Sequence, residues 1–305
     1  MKYLSIANGG IKASEISLGC MRISGLSKQE ASTLINTALD EGINFFDHAD
    51  IYGGGRSEEV FAEALSGISI AREKLIIQTK CGIRQGYFDF SKEHIISSVN
   101  GSLKRLKTDY IDVLLLHRPD TLMEPEEVAE AFAVLHGSGK VRYFGVSNQK
   151  PLQMELLQKY TDHKLIINQL QLSITNTGMI DSGLNVNMEI DPSIDRDGSI
   201  LEYCRLKDIT IQAWSPFQYG FFEGVFLNND KFPELNSKIN EIAEAYGVPN
   251  TAIAIAWILR HPARIQPIVG TTNANRLKDI CKASNVSLTR QEWYEIYRAA
   301  GNRLP

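Results

Sequence analysis

The chain has 305 residues, of which 43% are hydrophobic, and it carries a formal net charge of −4 with a pI near 5.9. This length fits one large α/β domain or two smaller ones, and the acidic balance argues against general nucleic-acid binding. No apolar run is long enough for a membrane span, the N-terminus lacks the apolar core of a signal peptide, and the four scattered cysteines have no metal-ligand spacing. We therefore expect a reduced, cytoplasmic protein that binds neither a membrane nor a metal.

Short apolar runs alternate with amphipathic helix patterns along almost the whole chain. Residues 2–14 come first and predict a β-hairpin, because the turn signal Asn8-Gly9-Gly10 separates two short apolar stretches. The runs that follow predict eight strands. They lie at residues 16–19, 43–46, 75–79, 111–116, 143–146, 166–170, 209–214 and 267–269.

The helix patterns between these runs have recognisable starts. Ser27 with Glu30 and Thr289 with Glu292 are capping-box pairs, and Pro125 opens a first turn rich in acids. Eight strands alternating with helices favour a (β/α)8 barrel over a doubly wound sheet, and the dinucleotide fingerprint G-x-G-x-x-G is absent. Segment 173–199 has no clear pattern, and we expect a long loop there that overhangs the C-terminal face of the barrel.

The densest group of ionisable residues follows the second predicted strand, in Asp47-His48-Ala49-Asp50-Ile51-Tyr52. Residues at the C-terminal ends of barrel strands meet in one pocket, and there Lys80 follows the third strand and His117 the fourth. Taken singly, Asp47 could be a loop cap and His117 a core histidine. Together, an acid, a phenol, an ammonium and an imidazole predict a proton-donating site.

Such a site suits the reduction of a carbonyl group. A tyrosine hydroxyl has an unperturbed pKa of about 10, and a neighbouring ammonium lowers the pKa by stabilising the phenolate. A carboxylate keeps that ammonium charged, and a histidine can polarise a carbonyl oxygen. Because no side chain can supply a hydride, the chemistry requires a nicotinamide cofactor.

With these residues in this order, the chain resembles the aldo-keto reductase superfamily over essentially its whole length, and bacterial members in particular. The matching motifs are Phe46-Asp47-His48-Ala49-Asp50-Ile51-Tyr52-Gly53, Thr79-Lys80, Leu115-Leu116-His117-Arg118-Pro119, Gly145-Val146-Ser147-Asn148, Asn168-Gln169, Trp214-Ser215-Pro216 and residues 268–279. The resemblance implies a single (β/α)8 TIM-barrel domain over residues 1–305, with an N-terminal hairpin closing the barrel bottom. It also implies NADPH-dependent reduction of an aldehyde or ketone, and it leaves the oligomeric state open, with a monomer allowed.

The resemblance assigns a role to each matching position. Tyr52 is the implied general acid, Lys80 lowers the Tyr52 pKa, Asp47 orients Lys80, and His117 sets the carbonyl. The implied cofactor-binding residues are Ser147, Asn148 and Gln169 for the carboxamide, Trp214 as the stacking ring, Ser215, Pro216 and Phe217 near the pyrophosphate, Gly270, Thr271, Thr272, Asn273 and Arg276 for the adenosine and its 2′-phosphate, and Gly19, Met21 and Arg22 after the first strand.

Three features depart from the family pattern. His48 stands where threonine or serine is more usual, Ile280 replaces a common asparagine near the adenine, and segment 173–199 is unlike typical family loops. The substrate stays unassigned, because pocket loops vary on a constant fold. Two other functions stay open: a Schiff-base enzyme with Lys80 as the nucleophile, and a non-catalytic regulatory subunit that binds nucleotide.

Overall fold

The computed structural model describes residues 1–304, in which eight parallel strands close into a barrel. The strands are β1 (Ser17–Gly19), β2 (Phe45–Asp47), β3 (Ile76–Cys81), β4 (Ile111–Leu116), β5 (Val141–Ser147), β6 (Leu165–Gln171), β7 (Thr210–Trp214) and β8 (Gln266–Val269). They pair in chain order, and β8 closes on β1. The predicted (β/α)8 barrel is therefore confirmed.

The strand ends differ from the predicted ones in a way that matters for the site. β3 continues through Lys80, which pairs in register with Leu115, so Lys80 lies inside its strand instead of after it. Ser147 and Gln169 likewise lie within β5 and β6. Barrel strands are buried on both faces. A polar side chain that points into the barrel can therefore lie within a strand if it has a hydrogen-bond partner.

Helices cover the outside of the barrel. They are α1 (Lys28–Asp40), α2 (Arg56–Leu65), α3 (Lys92–Leu106), α4 (Pro125–Gly137), α5 (Pro151–Gln158), α6 (Gly178–Leu184), α7 (Ile200–Leu206), α8 (Pro233–Tyr246), α9 (Asn250–Leu259), α10 (Ala274–Cys281) and α11 (Arg290–Ala299). The capping boxes predicted at Ser27 and Thr289 are both formed, and Pro125 is the first residue of α4. The predicted helix starts are confirmed.

The N-terminal hairpin closes one end of the barrel, as predicted. Its strands, Tyr3–Ile6 and Ile11–Ser14, pair antiparallel across a tight turn. Ile6 and Ile11 are buried in an apolar cluster with residues from the starts of barrel strands, including Phe45 and Ile76. The hairpin therefore seals the end of the barrel at which the strands begin.

Segment 173–199 is more ordered than predicted. It contains α6 and a short 3₁₀ turn at Asp191–Ser193. Met179 and Ile180 of α6 are buried, and the Tyr297 hydroxyl donates to the Asp181 carboxylate over 2.6 Å. The prediction of an unpatterned loop is wrong here, because a seven-residue helix with two buried positions is too short to show a helical period.

No single helix among residues 1–304 has the length and apolar character to cross a bilayer. Within the same residues, only α8 and α9 taken together meet that test by length and composition, and they are bent at 93° to one another.

Candidate active site

A buried ammonium lies at the centre of the site. Lys80 has no exposed surface, and its Nζ lies 2.8 Å from the Asp47 carboxylate. It also donates to the His48 carbonyl oxygen over 2.7 Å and to the Tyr52 hydroxyl oxygen over 3.1 Å. An ammonium has three N–H donors, so every donor of Lys80 has a partner. The three partners converge because Asp47 is the last residue of β2 and His48 follows it, while Lys80 lies in the neighbouring β3.

The charge on Lys80 is stabilised by these partners. Burial lowers the pKa of Lys80, but Asp47 and then Tyr52 raise it, and the resulting pKa lies above the ordinary lysine value. A charged ammonium has no lone pair with which to attack a carbonyl carbon. The geometry therefore disfavours the Schiff-base interpretation, which needs a neutral Lys80 amine.

Tyr52 is held with its hydroxyl oxygen as the acceptor of the Lys80 bond. Its own hydroxyl hydrogen is therefore free to be donated to another group. Burial raises the pKa of Tyr52 and Lys80 lowers it, and the net pKa is above 10.0. Lys80 therefore acts on this pKa in the expected direction, but the opposing effect of burial is larger. The raised pKa keeps the hydroxyl protonated at neutral pH.

Three glycines shape the loop that carries Tyr52. Gly53, Gly54 and Gly55 all have positive φ, at 59°, 64° and 94°. A Cβ at Gly55 would lie 2.9 Å from Cδ of Arg105, whose Nε donates to the buried Glu58 carboxylate over 2.7 Å. The loop needs glycine both for its backbone conformation and to fit against this ion pair.

His117 directly follows β4, and its ring meets the Tyr52 ring edge-on with centroids 5.8 Å apart. Burial, with Lys80 and Arg118 adding to it, lowers the pKa of His117 well below 6.5. The imidazole is therefore neutral at pH 7 and retains one N–H donor. The structure brings all four predicted residues, Asp47, Tyr52, Lys80 and His117, into one group, called the tetrad below.

Sequence reasoning named Gln169 only as a cofactor residue and missed that Gln169 and Gln78 both hold Asp47. Its Oδ1 accepts from Gln78 Nε2 over 2.6 Å and from Gln169 Nε2 over 3.0 Å. Both amides also donate to Gln212 Oε1, over 2.8 Å and 3.0 Å. Asp47 is thus held by two amides on Oδ1 and by the Lys80 ammonium, which lies 2.8 Å from the carboxylate. Gln169, predicted to hold a carboxamide, has both amide hydrogens occupied within the protein.

The amides continue as a chain to the closed end of the barrel. Gln212 Nε2 donates to Gln266 Oε1 over 2.8 Å, and Gln266 Nε2 donates to the Ser14 carbonyl oxygen over 2.6 Å. A backbone carbonyl can only accept, so this end fixes which way each amide faces and directs N–H donors toward Asp47. A glutamine inside an apolar strand pattern, as at Gln212, was the available signal.

A second group of predicted residues is joined by hydrogen bonds beside the tetrad. The Ser147 hydroxyl donates to the Gln169 carbonyl oxygen over 3.0 Å, and Asn148 Nδ2 donates to Ser147 Oγ over 2.7 Å. Trp214 Nε1 donates to Asn148 Oδ1 over 3.1 Å. The half-exposed Phe222 stacks on the Trp214 ring at a centroid distance of 5.9 Å. These side chains form the wall of the site on β5, β6 and β7.

The other predicted cofactor residues follow β7, β8 and β1, which are neighbours in the barrel. After β8, Asn273 caps α10 by accepting from the Arg276 N–H over 2.9 Å, and the Arg276 side chain is exposed. Met21 is exposed in the loop after β1. The remaining members lie in the same three segments: Gly19 and Arg22 at β1, Ser215, Pro216 and Phe217 after β7, and Gly270, Thr271 and Thr272 after β8.

His48 contributes to the site through its backbone carbonyl and not through its ring. Its carbonyl oxygen accepts from Lys80, whereas its ring is fully buried edge-on against Phe61 at 4.6 Å. Burial lowers the pKa of His48 to about 3, with Lys80 contributing. The ring is therefore neutral and packs beneath the site.

Comparison with known proteins identifies the family of the chain. The model of the aldo/keto reductase family matches residues 15–300. An uncharacterised oxidoreductase of Bacillus subtilis, YcsN, is 40% identical, covering 90% of this chain and 89% of its own. The Escherichia coli oxidoreductase YdhF is 35% identical over 98% of both chains. The crystal structure of the thermostable aldo-keto reductase Tm1743 matches with a TM-score of 0.80 at 26% identity, covering 98% of this chain and 100% of that one. The chain belongs to the aldo/keto reductase family.

Proposed function

We propose that the protein is an NADPH-dependent reductase that converts an aldehyde or ketone to an alcohol, with residues 1–305 acting as one domain in the cytoplasm. The observation that carries this proposal is the Lys80 ammonium, which contacts both the Asp47 carboxylate and the Tyr52 hydroxyl oxygen. Members of the aldo/keto reductase family generally use nicotinamide cofactors.

In this proposal Tyr52 gives its hydroxyl proton to the carbonyl oxygen of the substrate. The hydrogen is available because Lys80 already donates to the Tyr52 oxygen. As the proton leaves, negative charge develops on that oxygen, and the Lys80 ammonium stabilises it. Asp47 keeps Lys80 charged and in place, and the neutral His117 imidazole donates an N–H to the carbonyl oxygen and orients it.

The donor set beside the tetrad fits a nicotinamide nucleotide. Gln169 uses both of its amide hydrogens inside the protein, so its Oε1 is the atom left to accept from a carboxamide N–H. Ser147 and Asn148 would complete the carboxamide site, and Trp214 would supply an aromatic wall. A bound nicotinamide nucleotide supplies the hydride that no side chain of the chain can provide.

The preference for a 2′-phosphate rests on Arg276. Its exposed guanidinium lies in the first turn of α10, where the free N–H groups of the helix also favour an anion. We expect Arg276→Ala to raise the Kd for NADPH roughly tenfold or more, and the Kd for NADH much less. Fluorescence titration with both nucleotides measures this, and Lys278→Ala, which removes another exposed cation of α10, is the control. Equal effects on both nucleotides would rule out the phosphate role.

The amide chain provides a test of how Asp47 is held. Gln212→Leu removes the acceptor shared by Gln78 and Gln169, so we expect kcat to fall at least tenfold, the Kd for NADPH to stay within about threefold, and stability to fall by about 1–3 kcal/mol. Asn168→Leu is the matched control. Asn168 is equally buried in β6, but its side chain donates to the Gln149 carbonyl oxygen and is not part of the row of hydrogen-bonded glutamine amides. A kcat loss of the same size in both variants would show that the glutamine amides have only a structural role.

The proposed function is tested with a panel of aldehydes, ketones and quinones, following NADPH oxidation by absorbance. The panel includes 6-dehydroglucose, because a reductase of that compound from Agrobacterium fabrum is 34% identical over 95% of both chains. Turnover of at least one compound, abolished in Tyr52→Phe, is the expected result. Tight NADPH binding without reduction of any compound would instead support the regulatory, non-catalytic interpretation.

A further inference from the structure

One cation of the site has no role in the proposed chemistry. Arg118 follows His117 after β4, and its guanidinium carbon lies 5.6 Å from the centre of the Trp214 ring. The residue is half-buried, and none of the ion pairs among residues 1–304 includes it. The adjacent Asp120 carboxylate accepts instead from the backbone N–H groups of Phe90 and Leu122.

Arg118 is therefore a half-buried cation beside the tetrad that no anionic side chain among residues 1–304 balances. The Lys80 ammonium is balanced by Asp47, and both His48 and His117 have lowered pKa values and are neutral. Burial lowers the pKa of Arg118 and the Tyr52 oxygen raises it, so the guanidinium has lost part of its hydration close to Tyr52. Removing a guanidinium from water is unfavourable unless an acceptor replaces that water.

The surroundings of Arg118 suit an organic anion with a flat body. Phe221 meets the Trp214 ring edge-on with centroids 6.4 Å apart, and Phe222 stacks on it. Phe221 is 66% exposed and Phe222 is 49% exposed, so this aromatic surface is open to a ligand. The Trp214 ring also holds the guanidinium through a cation–π contact, which restricts where its five N–H donors point.

We propose that Arg118 is the anion-binding group of the substrate pocket, and that the substrates are aldehydes or ketones that also carry a carboxylate. A guanidinium can donate two parallel hydrogen bonds to a carboxylate, which a neutral hydroxyl cannot accept with the same strength. The proposal rests on the reductase function above and narrows its substrate class.

Two aldehydes that differ only in charge test this proposal. 4-Formylbenzoate carries a carboxylate, and its methyl ester has the same ring and aldehyde without the charge. We expect kcat/KM for the anion to exceed that for the ester roughly tenfold to a hundredfold in the unmodified enzyme. In Arg118→Gln this ratio should fall at least tenfold, and Arg118→Lys should retain part of it because it keeps the charge but loses the planar fork. Arg298→Gln, which removes an exposed arginine of α11, is the control and should leave the ratio unchanged.

Three results would overturn the proposal. The first is a kcat/KM ratio of anion to ester near one in the unmodified enzyme, and the second is an unchanged ratio in Arg118→Gln. The third is a loss of kcat/KM in Arg118→Gln that is as large for a neutral polyhydroxy aldehyde, such as glyceraldehyde, as for 4-formylbenzoate. A raised Kd for NADPH in Arg118→Gln would assign the residue to the cofactor and overturn it as well. If neither aldehyde is reduced, the reductase function is decided by the panel of carbonyl compounds above, and the anion site is decided separately by calorimetry with benzoate. Benzoate should bind at least tenfold more weakly to Arg118→Gln, and an equal Kd would reject the site.

Discussion

Tyr52→Phe is expected to lower kcat/KM for carbonyl reduction by about a thousandfold and to leave the Kd for NADPH nearly unchanged. The substitution removes the hydroxyl proton that is transferred to the carbonyl oxygen in the proposed reaction, whereas the N–H of the neutral His117 imidazole, which only orients that oxygen, remains. Phenylalanine keeps the ring and its edge-on contact with His117, so the loss reports on the hydroxyl. Steady-state kinetics and nucleotide titration measure the two quantities.

Tyr110→Phe is the matched control for this change. Its hydroxyl is buried and has no hydrogen-bond partner among residues 1–304, so removing it takes away a phenol oxygen that nothing in the protein uses. We expect Tyr110→Phe to keep full activity. If Tyr52→Phe is as active as this control, Tyr52 is not the general acid.

Lys80→Met is expected to have the largest effect on stability. It leaves the Asp47 carboxylate in a barrel interior where the residue is 3% exposed, and breaking a buried ion pair in this way costs about 3–5 kcal/mol. The double variant Asp47→Asn/Lys80→Met removes both charges, so it should recover a large part of that loss while staying inactive. Urea denaturation measures the free energy of unfolding, and NADPH oxidation measures the activity.

The double variant separates two explanations for the inactivity of Lys80→Met. If inactivity came only from a destabilised fold, restoring stability would restore turnover. If the ammonium itself stabilises charge on the Tyr52 oxygen, turnover stays lost. A double variant no more stable than Lys80→Met would contradict the description of Asp47 and Lys80 as an electrostatic pair.

Local patterns in the sequence determined the architecture of this protein. The alternation of apolar runs and capped helices predicted the barrel, and the turn signal at Asn8 predicted the hairpin. These signals work because a helix cap or a hairpin turn is formed by residues close together in the chain. The grouping of Asp47, Tyr52, Lys80 and His117 was also predictable, because barrel topology brings successive strand ends together.

Only the tertiary structure decided how these groups are held. The amide chain from Ser14 to Asp47 depends on the register between distant strands, which pairs Gln169 with Gln212 and Gln212 with Gln266. Strands buried on both faces show no alternation, so nothing local distinguishes an inward glutamine from an outward one. The net pKa of Tyr52 depends on burial, and the lack of an ion pair to Arg118 among residues 1–304 depends on packing, and both arise from the whole fold. The sequence by itself therefore determined which residues meet, and the packed barrel decided their charges and their remaining free donors.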